Sequence, residues 1–474
     1  MNIKAQNIPT YLFVNSDSYL AMKAFLMVIM LNIVMYSANI LSGTDRAFFN
    51  LDYFIPVLLL SLGFRWLYIG AFLSLAVIDF LVLFGQVFPA IRLNNLVYLL
   101  KFSWISSSSY QIYGTLLIIL VILQLFVTLK LYRPKLNIYL LMIFNIFIVI
   151  QAIKYHLPDA QIFQNTTNGQ VKNGFWIPKG RIVSSQLENY IGYFNKSFIQ
   201  GYDGDGDALQ DVRISSVSEP LWQDIGSHKK VLLIVNESWG LPKDELIHRE
   251  VLSELVNNPN INNLQTSDIE FEGFTLGGEL RELCHKAPIH FNLKNQSEGF
   301  EDCLPNRYKE LGYRTVAVHG ALSLMYDRRY WYPRAGFETI LFRDQGLNLP
   351  DSRCFSFPGN CDKDIASVIT TQFQNSNSLF LYWLTLNTHS IYDKRDIYTD
   401  LFDCNNFDLE DRPYSCNNLK LQKQFFHTLN DMLKNDAYKG TKVIVVSDHE
   451  PPIVSSEDSA FNPGRIPYVS FTIE

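Results

Sequence analysis

Where the apolar residues fall constrains this chain more than any other feature of its sequence. Residues 19–155 are densely apolar and carry few charges, whereas 156–474 read like a water-soluble protein. Averaged over 474 residues the hydrophobic fraction is an ordinary 48%, so only the distribution reveals two units. The hydrocarbon core of a bilayer, roughly 30 Å thick, takes about 20 apolar residues per helix. On that measure five membrane helices are predicted, over 19–41, 51–64, 67–88, 111–130 and 137–154. Lys23 lies near one end of the first, where its stem can snorkel. Gly63-Phe64-Arg65 separates the second from the third, and Pro134 with Lys130, Arg133 and Lys135 suits a loop at the membrane surface. These segments run far beyond the length of a cleaved signal peptide. The expected organisation is a transmembrane domain over 1–155, a linker with some helix over 156–228, and a folded domain over 229–474.

Five spans put the termini on opposite sides. With the N-terminus inside, Lys4, Arg65, Lys130, Arg133 and Lys135 face the cytoplasm, against Arg46, Arg92, Lys101 and Lys154 outside. The positive-inside rule then places the C-terminal domain outside. The cysteines point the same way. All six follow residue 280, as neighbouring pairs Cys284 and Cys303, Cys354 and Cys361, Cys404 and Cys416. Sequential pairing closes short loops without crossings, and an even count in one domain suits an oxidising compartment; the alternative is six buried thiols. No CxxC spacing suggests a zinc site built from them. A net charge of -6 with unclustered basic residues gives no electrostatic basis for nucleic-acid binding. The acidic run Asp203-Gly-Asp205-Gly-Asp207 fails as a calcium loop, with Ala208 in place of the turn glycine and Ile214 in place of the bidentate glutamate.

Beyond residue 230 short apolar runs alternate with helical stretches. VLLIVN at 231–236, TVAVHG at 315–320, LFLYWLTLN at 379–387 and KVIVVSD at 442–448 suit strands buried on both faces. Candidate helices cover 242–256 and 417–435. The alternation predicts an α/β sheet with helices on both faces, in which ligands sit beyond the carboxyl ends of the strands. Those ends run into Glu237, His319 and Asp448-His449, and His389 follows the fourth run. Carboxylates and an imidazole at strand ends suit a divalent ion, zinc or manganese. Thr275 lies where a loop enters a helix, and a hydroxyl at a helix N-terminus beside a cation can act as a nucleophile. A plain helix cap is the alternative for Thr275, and hydrogen-bonded core histidines are the alternative for His319 and His389.

These residues together resemble the alkaline phosphatase superfamily, in particular its membrane-anchored lipoteichoic acid synthase-like and phosphoethanolamine transferase-like enzymes. Asn236-Glu237-Ser238 is similar to the first ligand strand, and Thr275 with Glu279 to the nucleophile segment. His319-Gly320 with Tyr326-Asp-Arg328 and Gly336-Phe337 is similar to the substrate-binding stretch, and Ser447-Asp448-His449 to the terminal metal pair. The resemblance implies an α/β/α sandwich domain in which Glu237, Thr275, Asp448 and His449 hold one divalent metal. It further implies that Thr275 attacks phosphorus, that His319, Tyr326, Arg328 and His389 contact substrate, and that Cys284 pairs with Cys303. Tyr326 stands where synthase-like members place a tryptophan. No histidine follows His449, unlike the phosphoethanolamine branch.

The function this implies is transfer of phosphoglycerol or phosphoethanolamine from a membrane phospholipid donor to a glycan or glycolipid acceptor, through a phosphothreonine, outside a bacterial cytoplasmic membrane. The alternative is a phosphodiesterase or phosphatase-type hydrolase of the same superfamily. A formylglycine sulfatase is disfavoured, because its Cys-x-Pro-x-Arg motif, or the serine version, is missing around Thr275.

Overall fold

The structure, a computed structural model, describes residues 16–42, 44, 46–87, 108–156, 182–194, 204, 206–212, 216–390, 392–453 and 459–474. It divides into two compact units. In the first, α1 (Ser16–Leu41), α3 (Arg65–Val87), α4 (Ser108–Leu131) and α5 (Asn137–His156) accompany a short α2 (Phe54–Ser61). Among the described residues four helices are long and apolar enough to cross a membrane. The five-span expectation is corrected at 51–64. Asn50 caps a 3-10 turn over Leu51–Tyr53, and Gly63 at φ +88° ends the helical stretch. Eight residues rise about 12 Å, too little for the hydrocarbon core.

Buried faces of α1, α3 and α5 (Met27 and Leu31, Tyr68 and Phe72, Leu140 and Phe144) form the core of this unit. Into it is set an ion pair. Arg46 grips Asp79 through Nε and Nη2 at 2.9 and 2.8 Å, with both side chains wholly buried. Arg46 is thus neutralised internally and drops out of the charge comparison used to orient the spans. Lys4, Arg92 and Lys101 lie outside the described residues. After α5 the chain returns to the loop that follows α1. There β1 (Phe49–Asn50) pairs in parallel with β2 (Val183–Ser184), and Asp52 accepts hydrogen bonds from Ser185 Oγ and the Leu187 amide at the start of α6 (Gln186–Tyr193).

The second unit holds Cys284–Cys303 and Cys404–Cys416 as disulfides. Of the acidic run over 203–207, Asp203 and Asp205 lie outside the described residues. A small ribbon pairs β3 (Leu209–Asp211) with β6 (Lys286–Pro288). The main sheet contains β4 (Lys230–Asn236), β5 (Ile261–Glu270), β7 (Arg314–His319), β8 (Thr339–Phe342), β9 (Leu379–Leu384), β10 (Thr441–Ser447) and β11 (Arg465–Ile473), in the order β5-β11-β10-β4-β9-β7-β8. The four strands expected from their apolar runs are its four adjacent central strands, all parallel. Every residue of β9 is buried, as a strand covered on both faces requires. One core packs α7 (Glu245–Val256), α10 (Asp362–Gln374) and α11 (Pro413–Leu433) on one face. The other packs α8 (Thr275–Cys284) and α9 (Arg328–Ala335) on the opposite face. This is the α/β/α sandwich expected.

Register decides what meets at the carboxyl edge. Ser447 pairs with Asn236, and His319 with Leu384, which on its other side pairs with Val235. The residues that follow β10 and β4, Asp448 and Glu237, therefore emerge side by side, with the end of β7 two strands away.

Replacing Asp79 by Leu strands a buried guanidinium, and we expect a loss of about 3–5 kcal/mol. Thermal unfolding of the full chain in detergent checks this. The double change Asp79→Leu with Arg46→Leu should recover most of the loss.

Candidate metal and nucleophile site

Glu237, Asp448 and His449 form a cluster in which one ligand atom of each lies within 4.8 Å of the others. Glu237 and Asp448 are buried. Asp448 Oδ1 accepts the Ser238 and His449 amides, both at 2.7 Å. Its Oδ2 is buried without a hydrogen-bond partner and lies 3.3 Å from His449 Nε2. An orphaned carboxylate oxygen deep in a protein is costly, and a cation at this point satisfies it. His449 donates from Nδ1 to the Glu450 carbonyl at 2.7 Å. Because a carbonyl can only accept, the lone pair is left on Nε2, facing the carboxylates; such outer hydrogen bonds orient metal-binding imidazoles. The donor set of two carboxylates and one imidazole fits zinc or manganese.

The charges agree. Burial pushes the Glu237 carboxyl up, but His449 and His389 outweigh it and hold the group well below the usual carboxylate range. Burial, reinforced by the Glu237 charge, raises Asp448 to about 7. Burial opposes charge on His449, yet Asp448 and Glu237 lift it to about 10. Without a cation, the cluster holds protons in place of one.

Thr275 opens α8, and its Oγ1 lies 3.5 Å from His449 Nε2. The sequence allows this approach at Gly278. A Cβ there would lie 2.7 Å from the Asp448 carbonyl oxygen and 2.8 Å from its Cα. Only a residue without a side chain lets α8 lie against the end of β10. The first amides of α8 have no intrahelical acceptors, and no side chain caps them. They favour an anion at Thr275.

The substrate-contact candidates divide. His319, buried at the end of β7, donates from Nδ1 to the Leu384 carbonyl at 3.0 Å. Burial and the Arg328 charge push it down to about 3, so it is a neutral imidazole with a free Nε2. His389 likewise donates from Nδ1 to the Ser390 carbonyl, and its charge acts on Glu237. Tyr326 is held at φ 51°, a left-handed conformation costly for a side chain with a Cβ. The Trp331 indole N–H donates to its carbonyl, and the Arg328 guanidinium lies 5.1 Å from its ring centroid. Burial pushes its hydroxyl up to about 12, keeping it a hydrogen-bond donor. Arg328 is buried, and its Nε and Nη2 bind Glu279 Oε2 at 2.9 and 2.7 Å. Glu279 also accepts from the Tyr332 and Tyr382 hydroxyls. Only Nη1 of Arg328 is left for a ligand.

Glu279 is thus the anchor of Arg328. A carboxylate one helical turn after Thr275 was the signal for it. Of the neighbouring arginines, Arg334 binds the carbonyls of Leu293, Lys294 and Gln296, and Arg329 pairs with Asp344. Trp331 and Tyr332 are core residues. Cys354 and Cys361, the third expected pair, lie together and buried beside Asp396 but are not joined. Sequence reasoning missed Gly278, signalled by Gly277-Gly278 inside an apolar helical stretch, and Ser238, whose φ of 52° aims its amide at Asp448.

The sulfatase family model matches residues 229–469, just over half of the chain, and the chain belongs to that family, within the alkaline phosphatase superfamily. A search of curated proteins finds no match. Among solved structures the chain is similar to the lipoteichoic acid synthase LtaP from Listeria monocytogenes, at 15% identity and a TM-score of 0.41 over 54% of this chain and 69% of that one. It is similar to the Streptococcus pyogenes phosphoglycerol transferase GacH in complex with sn-glycerol-1-phosphate, at 15% identity and 0.38 over 54% and 71%. It is also similar to the C-terminal periplasmic domain of EcEptC from Escherichia coli in complex with Zn, at 14% and 0.37 over 57% and 77%. At that level of likeness they say nothing about substrate.

Two outcomes follow. Zinc or manganese must displace protons from Asp448 and His449, so apparent metal affinity should rise with pH from about 6 toward about 10. Calorimetry of the full chain should show a binding heat that depends on buffer ionisation. Gly278→Ala should weaken metal binding at least about tenfold, read by the same titration, because the helix must back away from Asp448.

Proposed function

We propose that this chain is a metal-dependent transferase that moves phosphoglycerol or phosphoethanolamine from a membrane phospholipid to a cell-envelope glycan or glycolipid through a phosphothreonine on Thr275. One observation carries the reading: the Thr275 hydroxyl, at an uncapped helix N-terminus, adjoins a buried cluster of two carboxylates and an imidazole. Glu237, Asp448, His449 and Thr275 are the residues that would hold one divalent ion, zinc or manganese. When bound, it would lower the pKa of the threonine hydroxyl and offset charge on the phosphate.

The chain's own residues supply the rest. The amides of the first turn of α8 face the non-bridging oxygens. The Tyr326 hydroxyl and Arg328 Nη1 donate to them, since charge gathers there in phosphoryl transfer. Neutral His319, and His389 beside it in role, are each fixed by an Nδ1 hydrogen bond and offer Nε2 to take the acceptor's proton or to hold its hydroxyl. We place this domain outside a bacterial cytoplasmic membrane because it holds two disulfides, which persist in oxidising compartments. With four full spans among the described residues, the disulfides replace span parity as the basis for that side. The membrane helices favour a lipid donor over a soluble one.

The test uses the full chain in nanodiscs containing phosphatidylglycerol or phosphatidylethanolamine, with divalent metal, followed by intact-protein mass spectrometry. An added head-group phosphate on the wild type, missing from Thr275→Ala, is expected and names the donor. Release of the head-group phosphate to water at the same rate with and without glycan acceptor would favour the hydrolase. Absence of an adduct from metal-loaded protein with either lipid, with no release, would overturn the reading.

A further inference from the structure

One residue at the mouth of the site does the opposite of what its position calls for. Helix N-caps favour Ser, Thr, Asp or Asn, whose oxygen satisfies a first-turn amide, and losing that cap costs about 1 kcal/mol. The N-cap of α8 is Phe274, which makes no capping hydrogen bond. Every residue of α8 itself is buried, yet the Phe274 side chain stands 37% exposed beside the nucleophile. It is not an isolated ring. Phe274 lies 4.7 Å from Phe291 with the planes inclined at 31°, and Phe291 lies 6.2 Å from Tyr326 at 30°. Tyr326 in turn lies beneath the Arg328 guanidinium. Three tilted rings thus lead from Thr275 to the arginine that faces the phosphate.

We infer that Phe274 and Phe291 form an apolar ledge that seats the acyl-glycerol end of the phospholipid donor while its phosphate lies over Thr275. The inference rests on the lipid-donor reading above. The ledge begins at the residue next to Thr275, beside the place where the phosphate would be attacked. Phe274 and Phe291 have no side-chain atom able to hydrogen-bond. A sugar ring placed against them gains no hydrogen bond from either ring, whereas hydrocarbon requires none. Burying apolar carbon against these rings adds affinity for each methylene covered. Along the row of rings, hydrogen-bonding side chains begin at Tyr326 and Arg328. Phe274 and Phe291 are specificity-determining residues: they select a donor with a hydrocarbon tail over the same phosphodiester without one.

The full chain in nanodiscs, doped with a phospholipid carrying a diazirine near the glycerol end of one acyl chain, tests this. After irradiation, peptide mapping should find label on the segments bearing Phe274 and Phe291 as well as on the membrane helices. Phe274→Ser restores a capping residue and should fold. It should lower labelling of the 271–291 segment at least about fivefold. Label confined to the membrane helices, or equal label in wild type and variant, would overturn the ledge. The Thr275 adduct is read in the same sample, so the two readings fail separately. Label without adduct keeps the ledge and removes the transfer; adduct without label removes the ledge.

Discussion

Two carboxylates, Glu237 and Asp448, are buried side by side at the carboxyl edge of a parallel sheet, and the rest of the catalytic domain is arranged around that costly pairing. Like charges in a low-dielectric setting repel strongly. The parallel register of β10 on β4 makes the pairing unavoidable, because each strand ends one residue before its acid. The protein does not relieve it with an arginine. Arg281 is near, yet its Nε binds Glu282 and its Nη2 the Ser447 carbonyl. The relief comes from His449 and from a place prepared for a cation, marked by the unpartnered Oδ2 of Asp448.

The surroundings then serve to aim groups at that place. His319, His389 and His449 come from three different segments, and each spends Nδ1 on a backbone carbonyl. Backbone acceptors are harder to lose than side chains, so three imidazoles have the same tautomer by construction. Arg328 is treated similarly: Glu279 takes two of its nitrogens and cancels its charge. What the arginine brings to a substrate is therefore one directed hydrogen bond more than net positive charge.

Much of this was legible before any coordinates. Strands β4, β7, β9 and β10 read as apolar runs because both their faces are covered, and their polar ends marked the site. Strand β5 was invisible because it is an edge strand of mostly polar residues, INNLQTSDIE. Strand β11 is antiparallel and only partly buried at its start, so it lacks the unbroken apolar signature. The second span failed for a different reason. Hydropathy measures composition, not length, and the turn at Leu51–Tyr53, tied to Ser185 and Leu187 through Asp52, removes residues the helix would need. At the site, residue types were readable and contacts were not. Gly278 shows its role only when Asp448 lies against it, and Glu279 only when Arg328 folds onto it from far along the chain.

The described residues offer two clusters able to hold a metal, Glu237 with Asp448 and His449, and Cys354 with Cys361 and Asp396. In the second, Asp396 already accepts the Phe355 and Ser356 amides, leaving it a poor ligand. X-ray absorption at the zinc edge on the zinc-loaded full chain separates them most directly. The account predicts a shell of nitrogen and oxygen alone, at about 2.0–2.2 Å with one imidazole. Sulfur scatterers at about 2.3 Å with no imidazole signal would place the metal at the cysteines and contradict the site described around Thr275.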